Sequence, residues 1–280
     1  MIKDIKIYKP IFYRGNLLNR LPIMVLELIN SKELIWQLFL RDFKTRYKQS
    51  LLGFFWILLI PLMAIVTFLL LGNSGILDIS DIPVPYPIYG LLGISLWQIF
   101  SGGLMATTSS ISSAASFITK INFFKGALVV SSLGQVLIDF IARMTLLIII
   151  YILYGIIPNP SFLLFPFLVI PLVLLTLGLG FITSLLNTII KDIYNLINII
   201  LGFLLFLMPI MYTPGENNFI IQINKYNPVY YLIKTPRDII ILGSSNTINE
   251  YLISSLISLI IFLLGWIIFD RAQSKIAEAV

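Results

Sequence analysis

The stretch RDFKTRYKQSLLGFFWILLIP, residues 41–61, decides the fold. Its first eight residues include four cations and one acid, and no charged residue follows between Leu51 and Leu71. A helix that crosses the hydrocarbon core of a bilayer needs about 20 mostly apolar residues. The stretch therefore predicts a basic segment at the membrane surface that runs directly into a transmembrane helix.

The composition indicates that lipid is part of the environment of the chain. Of its 280 residues, 58% are hydrophobic and 11% are charged, whereas a soluble domain is about 25% charged. The chain contains no Cys and no His, which disfavours a metal site, a disulfide framework and hydrolytic catalysis. The net charge of +6 then indicates orientation in a membrane rather than binding to nucleic acid.

Long apolar runs predict an all-α polytopic membrane protein with six transmembrane helices, because proline, glycine and charged residues end each run. The predicted spans are residues 51–71, 88–107, 127–154, 163–190, 196–212 and 251–269, within a transmembrane domain of residues 51–270. The predicted cytosolic parts are residues 1–50, with an amphipathic interfacial helix at about 33–49, and a tail at residues 271–280.

The distribution of Lys and Arg predicts the orientation. With the N-terminus inside, the cytosolic segments hold 15 of these residues and the outer segments hold 3, while Arg143 lies within the third span. Basic residues are retained on the cytoplasmic side of membrane proteins. We therefore expect both termini in the cytosol.

The outer segment between spans five and six, residues 213–250, is predicted to contain two short interfacial or re-entrant helices. Asn227 before Pro228 and Thr235 before Pro236 are both typical helix starts. The tyrosines of this segment fit either an aromatic belt at the headgroups or an outer gate. The candidate gate residues are Asn227, Pro228, Tyr230, Tyr231 and Arg237.

Catalytic and ATP-binding motifs are absent from the sequence. There is no GxxxxGK[ST] phosphate-binding loop, no HExxH and no nucleophile elbow, so we predict no catalytic residues and no hydrolysis of ATP by this chain. Passage of a substrate is therefore favoured over catalysis, and a membrane-embedded transferase is disfavoured because it lacks a candidate base.

Two charges, Asp139 and Arg143, lie inside the third predicted span. They are four residues apart, so they share one helix face and can form an ion pair. Charges within a membrane are costly and are functional candidates. They fit either a mutually neutralising pair that fixes helix packing or a site that couples transport to protons or ions.

The charged residues of the basic segment do not all lie on one face of the predicted helix. Arg41, Lys44 and Lys48 lie on the polar face, whereas Asp42 and Arg46 fall within the apolar sector and can pair with each other. A helix that only rests on lipid would keep every charge on its wet face. We therefore predict that Asp42 and Arg46 meet polar groups of protein.

A second cytosolic segment, ending at residues 120–125, combines two cations with aromatic residues. It fits either a loop on anionic headgroups or a docking helix for a cytosolic protein. Its candidate residues are Lys120, Phe123, Phe124 and Lys125.

The basic stretch also resembles a known family, the permease subunits of type-2 ABC exporters for cell-surface polysaccharides such as O-antigen, capsule and teichoic acid. The first-span signature of that family is matched by Arg41, Asp42, Lys44, Arg46, Tyr47, Ser50, Leu52, Gly53, Trp56 and Pro61. Weaker resemblances are KDIYN, LMPIMYTP and NPVYYLIKTPRD. The Phe-Pro pair common in the cytosolic loop of the family is replaced here by Phe123 and Phe124.

The resemblance implies a homodimer of permeases bound to two cytosolic ABC ATPase subunits. Those partners would hold the ATP and Mg²⁺, and this chain would hold no cofactor. The substrate would be a lipid-linked polysaccharide crossing the cytoplasmic membrane of a prokaryote. The residues that would couple to the ATPase are Arg41, Asp42, Lys44, Arg46 and Tyr47, with Lys120, Phe123, Phe124 and Lys125.

Sugar rings stack on aromatic side chains, so a polysaccharide path should be rich in them. The candidate lining residues are Phe54, Trp56, Phe68, Trp97, Phe100, Phe203, Phe206 and Tyr212. Two alternatives stay open, a type-2 ABC exporter of drugs or lipids and a proton-coupled carrier that uses Asp139.

Overall fold

The computed structural model describes residues 17–48, 55–75, 82–118, 120, 123–212 and 219–273. Over these residues the secondary structure is helical, without a strand. The helices are α1 (Leu17–Asn30), α2 (Lys32–Lys48), α3 (Trp56–Asn73), α4 (Tyr86–Ser113), α5 (Ala115–Ile118), α6 (Gly126–Leu153), α7 (Phe165–Ile189), α8 (Asp192–Leu207), α9 (Phe219–Asn224), α10 (Pro228–Leu242) and α11 (Ile248–Ala272). A short 3-10 helix, Pro160–Leu164, precedes α7.

The all-α polytopic class is confirmed. In the described part of the chain, five helical segments are long and apolar enough to cross a membrane: Trp56–Asn73, Tyr86–Ser113, Gly126–Leu153, Pro160–Ile189 and Ile248–Ala272. The fifth predicted span corresponds to α8, which has only 16 residues and a length of about 24 Å, less than a hydrocarbon core of about 30 Å. Six crossings therefore stay a prediction.

Helix α4 lies at the centre of the bundle. It packs against α6 and α7, and α7 packs against α11. Close approach depends on small residues, since a methyl group added at Gly178 would lie 2.6 Å from the Cα atom of Phe262 on α11. The exposed faces of α3 and α8 instead carry large apolar side chains, such as Leu70 and Phe203.

Within residues 17–48, two helices precede the first span, where the sequence predicts one. Helix α1 packs with α2, the start of α6 and the end of α11 around a second apolar cluster that includes Met24, Leu38, Phe124 and Phe269. This cluster lies on the predicted cytosolic side. It ties both ends of the described chain to the bundle.

From residue 219 onward, where the structure describes it, the outer segment contains two short helices before α11, as predicted, but only one of the predicted starts is correct. The Asn227 Oδ1 atom accepts a hydrogen bond from Val229 N at 3.1 Å, with Pro228 in the first turn of α10. The start at Thr235 is wrong, because α10 continues through Pro236. The buried Thr235 hydroxyl bonds Thr247 Oγ1 at 2.8 Å, and this tertiary contact outweighs the local preference of a residue before proline.

Candidate functional site

The middle of helix α2 is anchored to helix α6. The Gln135 Nε2 atom on α6 donates a hydrogen bond to the Phe39 carbonyl at 2.8 Å. The glycine at position 134 leaves room for the Phe39 ring, since a Cβ there would lie 3.1 Å from Phe39 Cδ2. Leu38 and Phe39 are both buried. The interfacial helix is thus fixed to a transmembrane helix rather than resting loosely on lipid.

The charges of α2 pair differently from the wheel prediction. Arg46 Nη1 lies 2.8 Å from Asp139 Oδ2 on α6, and the exposed fractions of these side chains are 50% and 7%. Asp42 instead meets its neighbour Arg41 at 2.8 Å, and both are largely solvent-accessible. An ion pair stabilises a carboxylate that is shielded from water more than it stabilises an exposed carboxylate. The predicted Asp42–Arg46 pair is therefore corrected, although Arg46 does meet a polar group of protein.

The predicted ion pair of Asp139 and Arg143 lies where α2 meets α6. The Asp139 carboxylate accepts a hydrogen bond from Arg46, on a different helix. Arg143 is buried one turn further along α6. Both α6 residues line the same cavity as Arg46, so the intramembrane charges belong to one larger site.

This cavity, the cleft, has a volume of about 750 Å³ and lies between α2, α3, α4 and α6. Its cationic wall consists of Arg41, Asp42 and Arg46 on α2 and Asp139 and Arg143 on α6. Its hydroxyl wall consists of Ser101, Ser109, Ser110 and Ser113 on α4 and Ser132 on α6. Its apolar wall consists of Trp56, Ile57 and Ile60 on α3.

The position of the cleft follows from chain order. The lining residues come from the start of α3, from Gln98 to Ser113 on α4 and from Leu128 to Arg143 on α6, so the cleft runs from the predicted cytosolic side to about the middle of the predicted spans. From Ser101 to Ser113 the hydroxyl wall extends about 18 Å along α4. The cleft is therefore suited to bind a long polar group at the inner membrane surface.

The chemistry of the lining favours binding over bond cleavage. Guanidinium groups match the oxygens of carboxylates and phosphates in a bidentate manner. The chain has no Cys or His to act as nucleophile or base beside these serines. In the part of the chain that the structure covers, acidic residues do not gather into a metal-binding group.

The predicted ATPase-coupling residues divide into two sets. Arg41, Lys44 and Lys120 are exposed on the predicted cytosolic side, and the Arg41 guanidinium lies 5.9 Å from the Phe117 ring centroid. The side chain of Tyr47 lies outside the described part. We call these three exposed cations the basic patch.

Phe123, Phe124 and Lys125 do not belong to the basic patch. Both aromatic rings are buried in the second apolar cluster. Lys125 is 8% exposed, and its Nζ atom donates to the Gln273 carbonyl at 2.9 Å. Burial lowers the pKa of Lys125. These residues pack the loop onto the end of α11, and their predicted role in docking stays a prediction.

The aromatic residues predicted to line the substrate path also fall into two groups, one exposed and one buried. Trp56, Phe203 and Phe206 are exposed, and Phe54 lies outside the described residues. The others are buried within the core of the single chain, namely Phe68, Trp97, Phe100 and Tyr212. Trp97 and Phe100 are buried because α4 packs against α3, α6 and α7. These four are not exposed on the surface of the single chain.

The predicted outer gate is organised by Arg237. This side chain is 3% exposed. Its Nη1 atom donates to the Ile210 carbonyl at 2.6 Å, and its guanidinium carbon lies 4.1 Å from the centroid of the Tyr89 ring on α4. The Tyr230 and Tyr231 rings meet edge to face at 5.2 Å. Arg237 thus fixes α10 to α4 and to the segment after α8.

One charged cluster was not predicted from the sequence. Arg20 on α1 donates to both carboxylate oxygens of Asp270 on α11, at 2.8 and 3.0 Å. Glu27 lies 3.8 Å from Arg20, and Gln273 Nε2 donates to Asp270 at 2.9 Å. The sequence gives a local signal only for Arg20 and Glu27, which lie two turns apart on one helix. Their partner Asp270 is 250 residues away from Arg20 and could not be inferred from spacing.

Comparisons with known proteins agree with this architecture. The family model described as ABC-2 type transporter matches residues 33–241. An O-antigen export system permease protein RfbA of Klebsiella pneumoniae is 25% identical over 245 residues, which cover 85% of this chain and 91% of that protein. The protein of the same name from Myxococcus xanthus is 28% identical over 189 residues, covering 68% and 72% of the two chains.

Proposed function

Since the chain belongs to the ABC-2 type transporter family, we propose that it is the permease subunit of an ATP-driven exporter of a lipid-linked cell-surface polysaccharide. The names of its relatives support this substrate class. The observation that carries the proposal is the cleft, which combines cationic, hydroxyl and apolar walls at the predicted inner surface of the membrane. A lipid-linked saccharide has a group suited to each wall.

The partner in this proposal is a pair of cytosolic ABC ATPase subunits, which bind ATP and Mg²⁺. The basic patch of Arg41, Lys44 and Lys120 is the surface offered to them. Because Gln135 and Asp139 fix α2 to α6, a displacement of α2 by the ATPase is transmitted to a transmembrane helix. The long basic segment thus acts as a rigid lever.

The second copy of the chain is proposed to pack beside α3 and α8. These helices present many large apolar side chains outside the core of the single chain, including Val66 and Leu70 on α3 and Ile199, Phe203 and Phe206 on α8. Membrane lipids and a second copy can both cover such surfaces. A path between two copies would be lined by the exposed Phe203 and Phe206.

The proton-coupled carrier is less well supported. An acid that binds and releases protons during transport must exchange with solvent, whereas Asp139 is 7% exposed and held by Arg46 at 2.8 Å. Asp139 is better suited to hold α2 than to carry protons.

Deletion of the gene tests the proposed function directly. We expect loss of a polysaccharide from the cell surface, accumulation of its lipid-linked form in the cytosol-facing leaflet, and co-purification of the tagged chain with a soluble ATPase. Unchanged surface polysaccharide in the deletion strain would contradict the substrate class. A chain that transports alone, without an ATPase, would contradict the whole assignment.

A further inference from the structure

We propose that the cleft is a binding site for a phosphate or diphosphate headgroup, and that Arg46 is shared between this anion and Asp139. The inference rests on the proposed function, which it deepens by assigning the headgroup to particular residues. The saccharide that follows the phosphate would lie along the hydroxyl wall, and the lipid tail along the apolar wall.

The charges of the cleft favour an anion. Three arginines and two aspartates line it, which leaves an excess of one positive charge. Half of the Arg46 side chain is exposed, so a ligand in the cleft reaches this guanidinium. A guanidinium binds phosphate oxygens through two parallel hydrogen bonds. The cationic wall therefore suits a phosphate better than a neutral or cationic headgroup.

The hydroxyl groups of the hydroxyl wall are available to a ligand as hydrogen-bond acceptors. The serine hydroxyls donate to carbonyls of their own helices, as in the bonds from Ser101 to Trp97, from Ser110 to Thr107 and from Ser132 to Val129, at 3.0, 2.7 and 2.8 Å. A hydroxyl whose proton is used in this way keeps its lone pairs as acceptors. Acceptors along about 18 Å of helix match the many hydroxyl donors of a saccharide.

The apolar wall completes the match to a lipid-linked ligand. Trp56 and Ile60 at the start of α3 are exposed although they line the cleft. An acyl or prenyl chain that continues from the phosphate can lie against this wall and leave toward the bilayer. Arginines, serine acceptors and an apolar edge, all within one cavity, thus offer contacts to the phosphate, the sugar and the lipid of such a ligand.

Sharing of Arg46 makes a prediction that a purely structural ion pair does not make. An anion in the cleft competes with the Asp139 carboxylate for the same guanidinium. Replacement of Asp139 by Asn removes the competitor, so it should strengthen anion binding. If Arg46 and Asp139 only held α2 to α6, loss of Asp139 would weaken binding or leave it unchanged.

The test measures equilibrium binding of radiolabelled farnesyl diphosphate to the full chain in phosphatidylcholine nanodiscs. Arg46→Gln should weaken binding roughly tenfold to a hundredfold, the effect of losing a charge-assisted contact. The double variant Arg46→Gln/Asp139→Asn removes both members of the contact, and it should lose binding equally. Asp139→Asn should bind several-fold more tightly. Arg271→Gln, which removes an exposed arginine outside the cleft, should bind like the wild type.

Competitors distinguish the source of the phosphate. Displacement of the label by inorganic pyrophosphate or by added phosphatidylglycerol would assign the site to a phosphate of any source, including ordinary bilayer headgroups. Displacement by polyprenyl diphosphates alone would assign it to a lipid carrier. Binding that is equally tight in the wild type, Arg46→Gln and the double variant would overturn the proposal.

Failure of this inference is separable from failure of the proposed function. If export continues but binding is independent of Arg46, the site is wrong and the exporter stands. If binding depends on Arg46 but the deletion strain keeps its surface polysaccharide, the site stands and the exporter assignment is wrong.

Discussion

Arg46 on α2 and Asp139 on α6 meet at 2.8 Å across 93 residues of sequence. This contact joins the helix at the predicted membrane surface to the interior of the bundle. Together with the bond from Gln135 to the Phe39 carbonyl, it makes α2 and α6 one mechanical unit.

The strength of this contact can be measured with a double-mutant cycle. Arg46→Gln should lower the free energy of unfolding by about 1–2 kcal/mol, because it removes this cation from a poorly exposed carboxylate. Addition of Asp139→Asn should restore part of the loss. The matched control is Arg41→Gln, whose exposed pair with Asp42 should contribute less than about 1 kcal/mol. Purely additive effects, measured by reversible unfolding in mixed micelles, would exclude coupling.

The two lysines of the second cytosolic segment should differ in effect. Lys120→Glu reverses an exposed charge of the basic patch, so it should reduce co-purification of the ATPase without changing thermal stability. Lys125→Glu places an acid at a buried position, so it should destabilise the chain by more than about 1 kcal/mol. Pull-down and thermal unfolding of both variants check this. Equal loss of ATPase binding at equal stability would contradict the assignment of Lys125 to internal packing.

The stability of the protein should depend on pH through Glu27, which belongs to the charged cluster that joins α1 to α11. Burial raises the pKa of Glu27 above its ordinary value of 4.5, and Arg20 opposes the shift. The folded state therefore binds more protons than the unfolded state above this value, so the contribution of Glu27 becomes less favourable as pH rises. Glu27→Gln removes that contribution.

The expected result is a stability difference between Glu27→Gln and the wild type that grows in favour of the variant as pH rises above about 4.5. It should level off once the folded-state carboxyl is ionised. Glu33→Gln, at an exposed position on α2, serves as the control. Parallel stability curves for Glu27→Gln and the wild type would rule out the effect.

The orientation can be mapped without background, because the chain has no Cys. A membrane-impermeant maleimide should label Tyr226→Cys from outside in spheroplasts, since Tyr226 is 85% exposed in the predicted outer segment. Glu33→Cys should react only after permeabilisation. The opposite pattern would place the termini outside and would contradict the distribution of basic residues.

The sequence was sufficient for features that depend on local chemistry. The basic segment became α2, and the start of α10 at Asn227 was correctly placed because the capping side chain and Pro228 are adjacent in sequence. Helix α1 was missed, since Pro22 interrupts a short apolar run and its stabilising contact, Arg20 with Asp270, is made with the other end of the chain.

Side-chain partners were harder to predict than elements. The i, i+4 spacing suggested that Asp42 pairs with Arg46, but the carboxylate with less access to water, Asp139, lies on another helix. The spans are apolar on every face, so periodicity does not separate a buried Trp97 from an exposed Phe203. The cleft itself depends on four helices meeting, which no local pattern encodes.

Reconstitution tests the central claim most directly. Proteoliposomes containing the chain and its ATPase are loaded on the cytosolic face with a fluorescent lipid-linked polysaccharide, and the protected polymer in the opposite compartment is measured. We predict accumulation that requires ATP hydrolysis and both proteins, and that falls in the Arg46→Gln variant. Accumulation driven by a proton gradient without the ATPase would contradict the account.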